Sequence, residues 1–182
     1  MKELSLHILD IIENSVSGGA SLIEVNITVN EHDDLLVITI IDNGRGMDSE
    51  TLSRVTDPFF STRTTRKIGM GLSLFRQQSE KTGGRFRINS ELHKGTEVSA
   101  SLGLKSIDRQ PLGDVAGVIV NVAASYTDID IQLNINTSFG SYHFGSHEVI
   151  KILDGVPFNN PEVMLSLKEM IETNVKDLKL IN

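Results

Sequence analysis

Cysteine is absent from this chain of 182 residues. That excludes disulfides, thiolate catalysis and cysteine-based metal sites, and it fits a reducing compartment, so a cytoplasmic protein is expected. Long apolar runs are absent too. No stretch of about 18 apolar residues occurs, and the opening MKELSLHILDIIENS has charges scattered through its apolar positions. Neither a signal peptide nor a membrane span is expected. Positive charge is in deficit: 17 Lys and Arg against 24 Asp and Glu leave a net −7, which argues against general affinity for nucleic acid or anionic membrane. The phosphate-loop pattern G-x-x-x-x-G-K-[ST] and the lysine and catalytic-loop signatures of protein kinases are also missing, which removes two common routes to nucleotide chemistry.

What is present is the composition of a globular protein, 39% hydrophobic and 23% charged, long enough for a domain of about 100 residues and a smaller appendage. Leu4, Ile8, Ile11, Ile12 and Val16 recur at helical spacing until Ser17-Gly18-Gly19 breaks the pattern. LIEVNITV alternates as a strand. LLVITII reads as a second strand, buried on both faces. Residues 49–55 are helix-like with Asp48 or Ser49 as cap, and 61–69 look like a loop. LSLFRQQSEKTGG reads as a helix closed by Gly83-Gly84, and RFRINSELHKGTEVSASLGL as a hairpin turning at HKG. KSIDRQPLGD is a polar linker. Beyond it, VAGVIVNVAAS and TDIDIQLNINTSF are expected as strands, and HEVIKILDGV and PEVMLSLKEMIETNV as helices. The sequence therefore divides into an α/β unit over 1–104 and a ββαα module over 105–182, with Ile129, Ile131, Leu133 and Ile135 on a sheet face and Met164, Leu167, Met170 and Ile171 on a helix covering it.

Three elements carry chemistry. Glu3, His7, Asp10 and Asn14 form one polar stripe on the first helix. On the helix alone this reads as a solvated face, but Asn14 near its end is an oxygen donor suited to Mg2+. Asp42 ends a strand and opens the turn DNGRGM. Its carboxylate can accept from an exocyclic amine while Gly44 and Gly46 let a flat ring approach the backbone, although Asp-Asn-Gly is also an ordinary hairpin turn. Gly69-Met70-Gly71 precedes a helix, where free N–H groups favour an anion.

The segments IIENSVSGGASLIEV, DNGRGM, DPFFST, GMGLSL and GTEV follow one another in one order. Together they resemble the ATP-binding domain shared by DNA gyrase, Hsp90, histidine kinases and MutL, over roughly residues 1–104. The resemblance implies a Bergerat-type α+β sandwich, a mixed sheet covered by helices, with ATP and Mg2+ as ligands. It implies that Asn14 ligates Mg2+, that Asp42 reads the adenine amino group beside Gly44 and Gly46, and that Met47 lines the base. Gly69, Met70, Gly71 and Leu72 match the second glycine box, whose amides meet phosphates, and Thr96 supports Asp42 through water. DPFFSTRTTRKIG resembles the phenylalanine box and lid of histidine kinases: Phe59 and Phe60 anchor the lid, and Arg63, Arg66 and Lys67 bring positive charge to the phosphates.

Departures from the family shape the expected function. Hydrolysing members carry a glutamate four residues before the magnesium asparagine, where this chain has Asp10. Asp10 is the candidate general base, one methylene shorter. No phosphoacceptor motif accompanies His7, which reads as structural. The resulting expectation is a protein kinase phosphorylating a partner in trans, like the anti-sigma-factor serine kinases. The alternatives are a slow ATPase and a nucleotide-sensing module without transfer. The 105–182 module shows no chemical motif and reads as a partner-binding or dimerising element.

Overall fold

The structure, a computed structural model, describes residues 2–55 and 71–180. Helix α1 (Leu4–Ser17) comes first, its buried stripe Leu4, Ile8, Ile11 and Ser15 following the helical repeat. Strands β1 (Leu22–Asn30) and β2 (Leu35–Asp42) follow, then the short helix α2 (Ser49–Arg54), where Asp48 accepts the Thr51 N–H as N-cap. Helix α3 (Gly71–Lys81) precedes the hairpin β3 (Phe86–Glu91) and β4 (Gly95–Gly103). The remaining elements are α4 (Val115–Ser125), β5 (Asp130–Thr137), β6 (Gly140–Gly145), α5 (Ser146–Ile152) and α6 (Pro161–Asp177). No helix among the described residues is long and apolar enough to cross a membrane.

One six-stranded sheet runs in the order β3-β4-β2-β1-β5-β6. Every neighbouring pair is antiparallel except β1 and β5, so the sheet is mixed. Alternation puts Ile23, Val25 and Ile27 of β1, Leu36, Ile38 and Ile40 of β2, and Val98, Ala100 and Leu102 of β4 on the face that the helices cover. Phe75 of α3, Ile8 and Ile12 of α1 and Ile119 of α4 close over it, all fully buried. Each such side chain contributes about 1.5–3 kcal/mol by leaving water. The expected α+β sandwich is observed, with its helices on one side.

Several elements depart from expectation. VAGVIVNVAAS is helix α4, not a strand. Asp114 starts it by accepting the Gly117 N–H at 2.7 Å, and the helix is buried on most of its circumference between the sheet and α6. A continuous apolar run of that length lacks the period that would separate the two assignments. The second strand of the C-terminal part is instead β6, whose SYHF alternates only weakly because it is an edge. The ββαα order is thus αββαα, and β5 and β6 extend the sheet of the first unit. α6 packs on α4 rather than on the β5 face, and Met170 stays 41% exposed while Ile171 is buried. β2, expected to be buried on both faces, is covered on one: Leu35 and Val37 are half-buried and Ile41 is exposed.

KSIDRQPLGD is ordered by contacts on both sides rather than a free linker. The Gln78 side-chain amide donates to the Asp108 carbonyl at 2.7 Å and Lys81 pairs with Asp108 at 2.8 Å, both from α3. The Leu4 and Ser5 N–H groups of α1 donate to the Pro111 and Leu112 carbonyls at 2.9 and 2.8 Å.

Candidate functional site

The site forms where two core stripes run out. Asp42 continues the inward-facing row of Leu36, Ile38 and Ile40 at the end of β2, and Ser15 continues Leu4, Ile8 and Ile11 at the end of α1. The two meet: the Ser15 hydroxyl donates to Asp42 Oδ2 at 2.7 Å. The Gly44 N–H donates to Asp42 Oδ1 at 2.9 Å. Asp42 stands opposite Thr96 on β4, on the same inward face, and Thr96 Oγ1 lies 3.0 Å from Ser90 Oγ. A half-buried carboxylate is thereby fixed at the end of a central strand with lone pairs to spare, since Ser15 takes one oxygen and Gly44 the other.

Glycine gives the loop after Asp42 its close contacts. Gly46 sits at φ 64°, and a Cβ there would fall 2.0 Å from the Glu91 carbonyl oxygen. A Cβ on Gly44 would lie 3.0 Å from both Asp42 Oδ1 and the Gly18 carbonyl oxygen. Around them the loop is tied on three sides. The Arg45 N–H donates to Gly18 O at 2.9 Å, the Met47 N–H to Ser90 Oγ at 2.9 Å, and Asn43 Oδ1 accepts from the Ser21 and Leu22 N–H groups. Met47 is half-buried beside this hairpin.

The other end of the site lies between α1 and the start of α3. A Cβ on Gly71 would stand 2.6 Å from Asp10 Oδ2, so the first turn of α3 reaches this carboxylate only because residue 71 is glycine. The Leu72 side chain, next along α3, is buried in the core. Asn14 is exposed one turn beyond Asp10. The stripe on α1 is therefore solvated only in part: Asn14 is exposed, Glu3 and Asp10 are half-buried, and His7 is buried. His7 is 1% exposed, stacked on Phe75 with centroids 5.0 Å apart, and 3.0 Å from Gln110 Oε1 through Nε2.

Burial pushes the His7 imidazole below its ordinary value of 6.5; the Gln110 hydrogen bond and the Asp10 charge pull it up, the N-terminal charge pushes it down, and burial prevails. The folded chain then binds fewer protons than the unfolded one. The neutral ring's contribution is complete above about 6.5 and is lost as pH falls through the lower folded value. Urea unfolding from pH 7 to pH 5 is expected to show a falling midpoint, with a shallower fall in His7→Gln. Equal slopes in the two proteins would contradict this assignment.

Of the residues expected at a site, Asp10 and Asn14 lie on α1, Asp42 at the end of β2, Gly44, Gly46 and Met47 in the loop after it, Thr96 at the start of β4 opposite Asp42, and Gly71 and Leu72 at the start of α3. Phe59, Phe60, Arg63, Arg66, Lys67, Gly69 and Met70 lie outside the described residues, as does the loop expected over 61–69. Sequence reasoning passed over Ser15, Asn43, Ser90 and Gln110. Ser15 had a signal, standing where the helical repeat of Leu4, Ile8 and Ile11 calls for an apolar residue. Gln110, more than a hundred residues from His7, had none.

Residues 2–106 match the histidine kinase-, DNA gyrase B-, and HSP90-like ATPase family, and the chain belongs to that family. It is similar to Histidine protein kinase DivJ of Caulobacter vibrioides, 31% identical over 99 residues that make up 52% of this chain and 17% of the relative. It is also similar to Sporulation kinase D of Bacillus subtilis, 29% identical over 100 residues, 53% of this chain and 20% of the relative. The chain thus spans a fifth or less of these relatives' lengths. The MutL ATPase domain of Aquifex aeolicus, solved with ADP, superposes with a TM-score of 0.54 at 15% identity, covering 78% of this chain and 62% of that one. At that identity the likeness shows the fold.

Proposed function

We propose that the chain binds ATP with Mg2+ and passes the γ-phosphoryl group to a side chain of a partner protein. The observation that carries the nucleotide reading is Asp42, a carboxylate held by Ser15 and Gly44 at the mouth of the core, in a floor of glycines that any Cβ would fill. Adenine fits that floor because its exocyclic amine needs an acceptor and its flat ring needs bare backbone. Mg2+ fits the other end because it takes few protein oxygens and keeps water and phosphate for the rest. Asn14, exposed on α1, would supply one such oxygen. Bound ATP supplies the phosphoryl group, and the metal neutralises its charge.

The chain's own residues then have separate tasks. Asp42, with Thr96 and Ser90 behind it, orients the base; Met47 covers it. The amides of Gly71 and Leu72 face the phosphates, with Lys67, Gly69 and Met70 assigned there by the family resemblance. Asp10, one turn from Asn14 and against Gly71, takes the proton of the attacking group. Membership of a family that includes histidine kinases and likeness to DivJ and Sporulation kinase D support transfer over a binding role alone. His7 is buried under Phe75, which disfavours it as the acceptor and supports an acceptor on another protein. Residues 105–182, with Ile152 80% and Leu165 59% exposed, are the surface we assign to that partner or to a second copy, in the cytoplasm.

Asp10 also favours a second reading. A carboxylate beside Gly71 can activate water with no partner present, giving slow hydrolysis. Asp10→Asn is expected to lower phosphate release, or transfer to an added partner, by about 100-fold while MgATP affinity changes by about threefold or less. Steady-state release with labelled ATP measures the first, calorimetry the second. Unchanged turnover in Asp10→Asn would remove the base from Asp10.

A further inference from the structure

We infer that residues 105–114 form a strap that positions the phosphate end of the site, with His7 and Gln110 as its positioning residues. This rests on the nucleotide reading above and extends it to Gln110 and the rest of the strap, most of which lies beyond the family match of 2–106.

The strap caps the helix that carries Asp10 and Asn14. Helix α1 begins without a side-chain cap and without an acidic residue in its first turn. Its open N–H groups need acceptors, and the Pro111 and Leu112 carbonyls take those of Leu4 and Ser5. Gly113, at φ 76°, permits the approach: a Cβ there would lie 2.3 Å from Glu3 Oε2. The same strap grips α3 from its far end, through Gln78 and Lys81 on Asp108. It therefore holds together the two helices between which the phosphates would lie.

Gln110 reaches into that junction. With Oε1 facing His7 Nε2 at 3.0 Å, the imidazole donates and the amide accepts. The ring lies flat on Phe75, one turn along α3 from Gly71, at an interplanar angle of 16°. It also sits one turn along α1 from Asp10, the residue that Gly71 abuts. Phe75 and His7 are both almost wholly buried, so a shift of the ring cannot be absorbed by solvent and passes to the first turn of α3. Among the described residues Nδ1 of His7 is buried without a hydrogen-bond partner, so the Gln110 bond anchors the ring at Nε2, with the Gly71 backbone close enough to act on the imidazole as well. The strap continues into Asp114, which caps α4 and takes Lys168 of α6 at 2.7 Å. The C-terminal elements are mechanically joined to the phosphate end by this path.

The test compares wild type, Gln110→Ala and Gln110→Glu, each shown to be folded by circular dichroism, in titrations with MgATP and with adenosine. Adenosine reports the Asp42 end and ATP adds the phosphate end. Gln110→Ala is expected to weaken MgATP about tenfold while adenosine changes by about twofold or less. Gln110→Glu keeps an acceptor for Nε2 and is expected to recover MgATP affinity to within about threefold of wild type. Equal losses for both ligands, no loss at all, or no recovery in Gln110→Glu would overturn the strap's role while leaving the nucleotide site standing. A wild type that binds neither ligand would overturn the nucleotide reading and this inference with it.

Discussion

Asp42→Asn is expected to weaken MgATP binding by at least about 100-fold, with the protein still folded. The carboxylate already serves the Ser15 hydroxyl and the Gly44 N–H. An amide in its place offers one oxygen where two are used, and turns an NH2 toward a donor. If the oxygen stays with Gly44, the amine of the base meets the new NH2, and a buried donor left facing a donor costs about 1–3 kcal/mol beyond the lost charged bond. Sites built to hydrogen-bond one polar group discriminate strongly for this reason. Ser15 has a second acceptor in the Ile11 carbonyl at 3.2 Å, so the fold loses little. Calorimetry measures the affinity and thermal unfolding the stability. Binding within about fivefold of wild type would remove Asp42 from base recognition.

Gly95→Ala is expected to destabilise the chain by about 3 kcal/mol or more, the largest stability effect among the glycines of the site. Gly95 holds φ at 101° at the start of β4, and a Cβ would fall 1.9 Å from the Asp42 carbonyl oxygen. That neighbour is strand backbone, which cannot swing aside as a side chain would. Relief requires β2 and β4 to part at the pair Asp42 and Thr96, so nucleotide affinity should fall as well. Gly19 and Gly83 are the comparison: both have positive φ, but nothing lies within 4 Å of an added Cβ. Alanine there should cost only about 1 kcal/mol from backbone strain. Urea unfolding of the three variants measures the contrast, and equal losses in all three would show that φ alone, not the approach to Asp42, sets the need for glycine.

The ends of the core stripes were legible in the sequence. Asp42 stands in phase with Leu36, Ile38 and Ile40, so period two alone puts it on the covered face, and glycines directly after it mark close backbone. Local turn chemistry was legible too, in Asp48 as cap and Gly83 as helix stop. The assignment of α4 failed because a fully buried helix and a buried strand are both continuous apolar runs, and Asp114 as cap was the one local signal between them. β6 failed because an edge strand with polar residues outward keeps only Tyr142 and Phe144 as its pattern. The parallel pairing of β1 with β5, and the contact of Gln110 with His7, join positions about a hundred residues apart. Such contacts leave no periodic trace, so the C-terminal elements were separated from a sheet they complete.

The central claim is that ATP with Mg2+ binds where Asp42, its glycines and the start of α3 meet. Amide chemical shifts of the 15N-labelled chain, followed during titration with MgATP, test both the binding and the place. The account predicts saturable shifts concentrated at Ser15, Gly44, Gly46, Gly71 and Gly95, with the outer face of the sheet and α6 unmoved. Shifts confined to other surfaces, or none up to millimolar nucleotide, would contradict it.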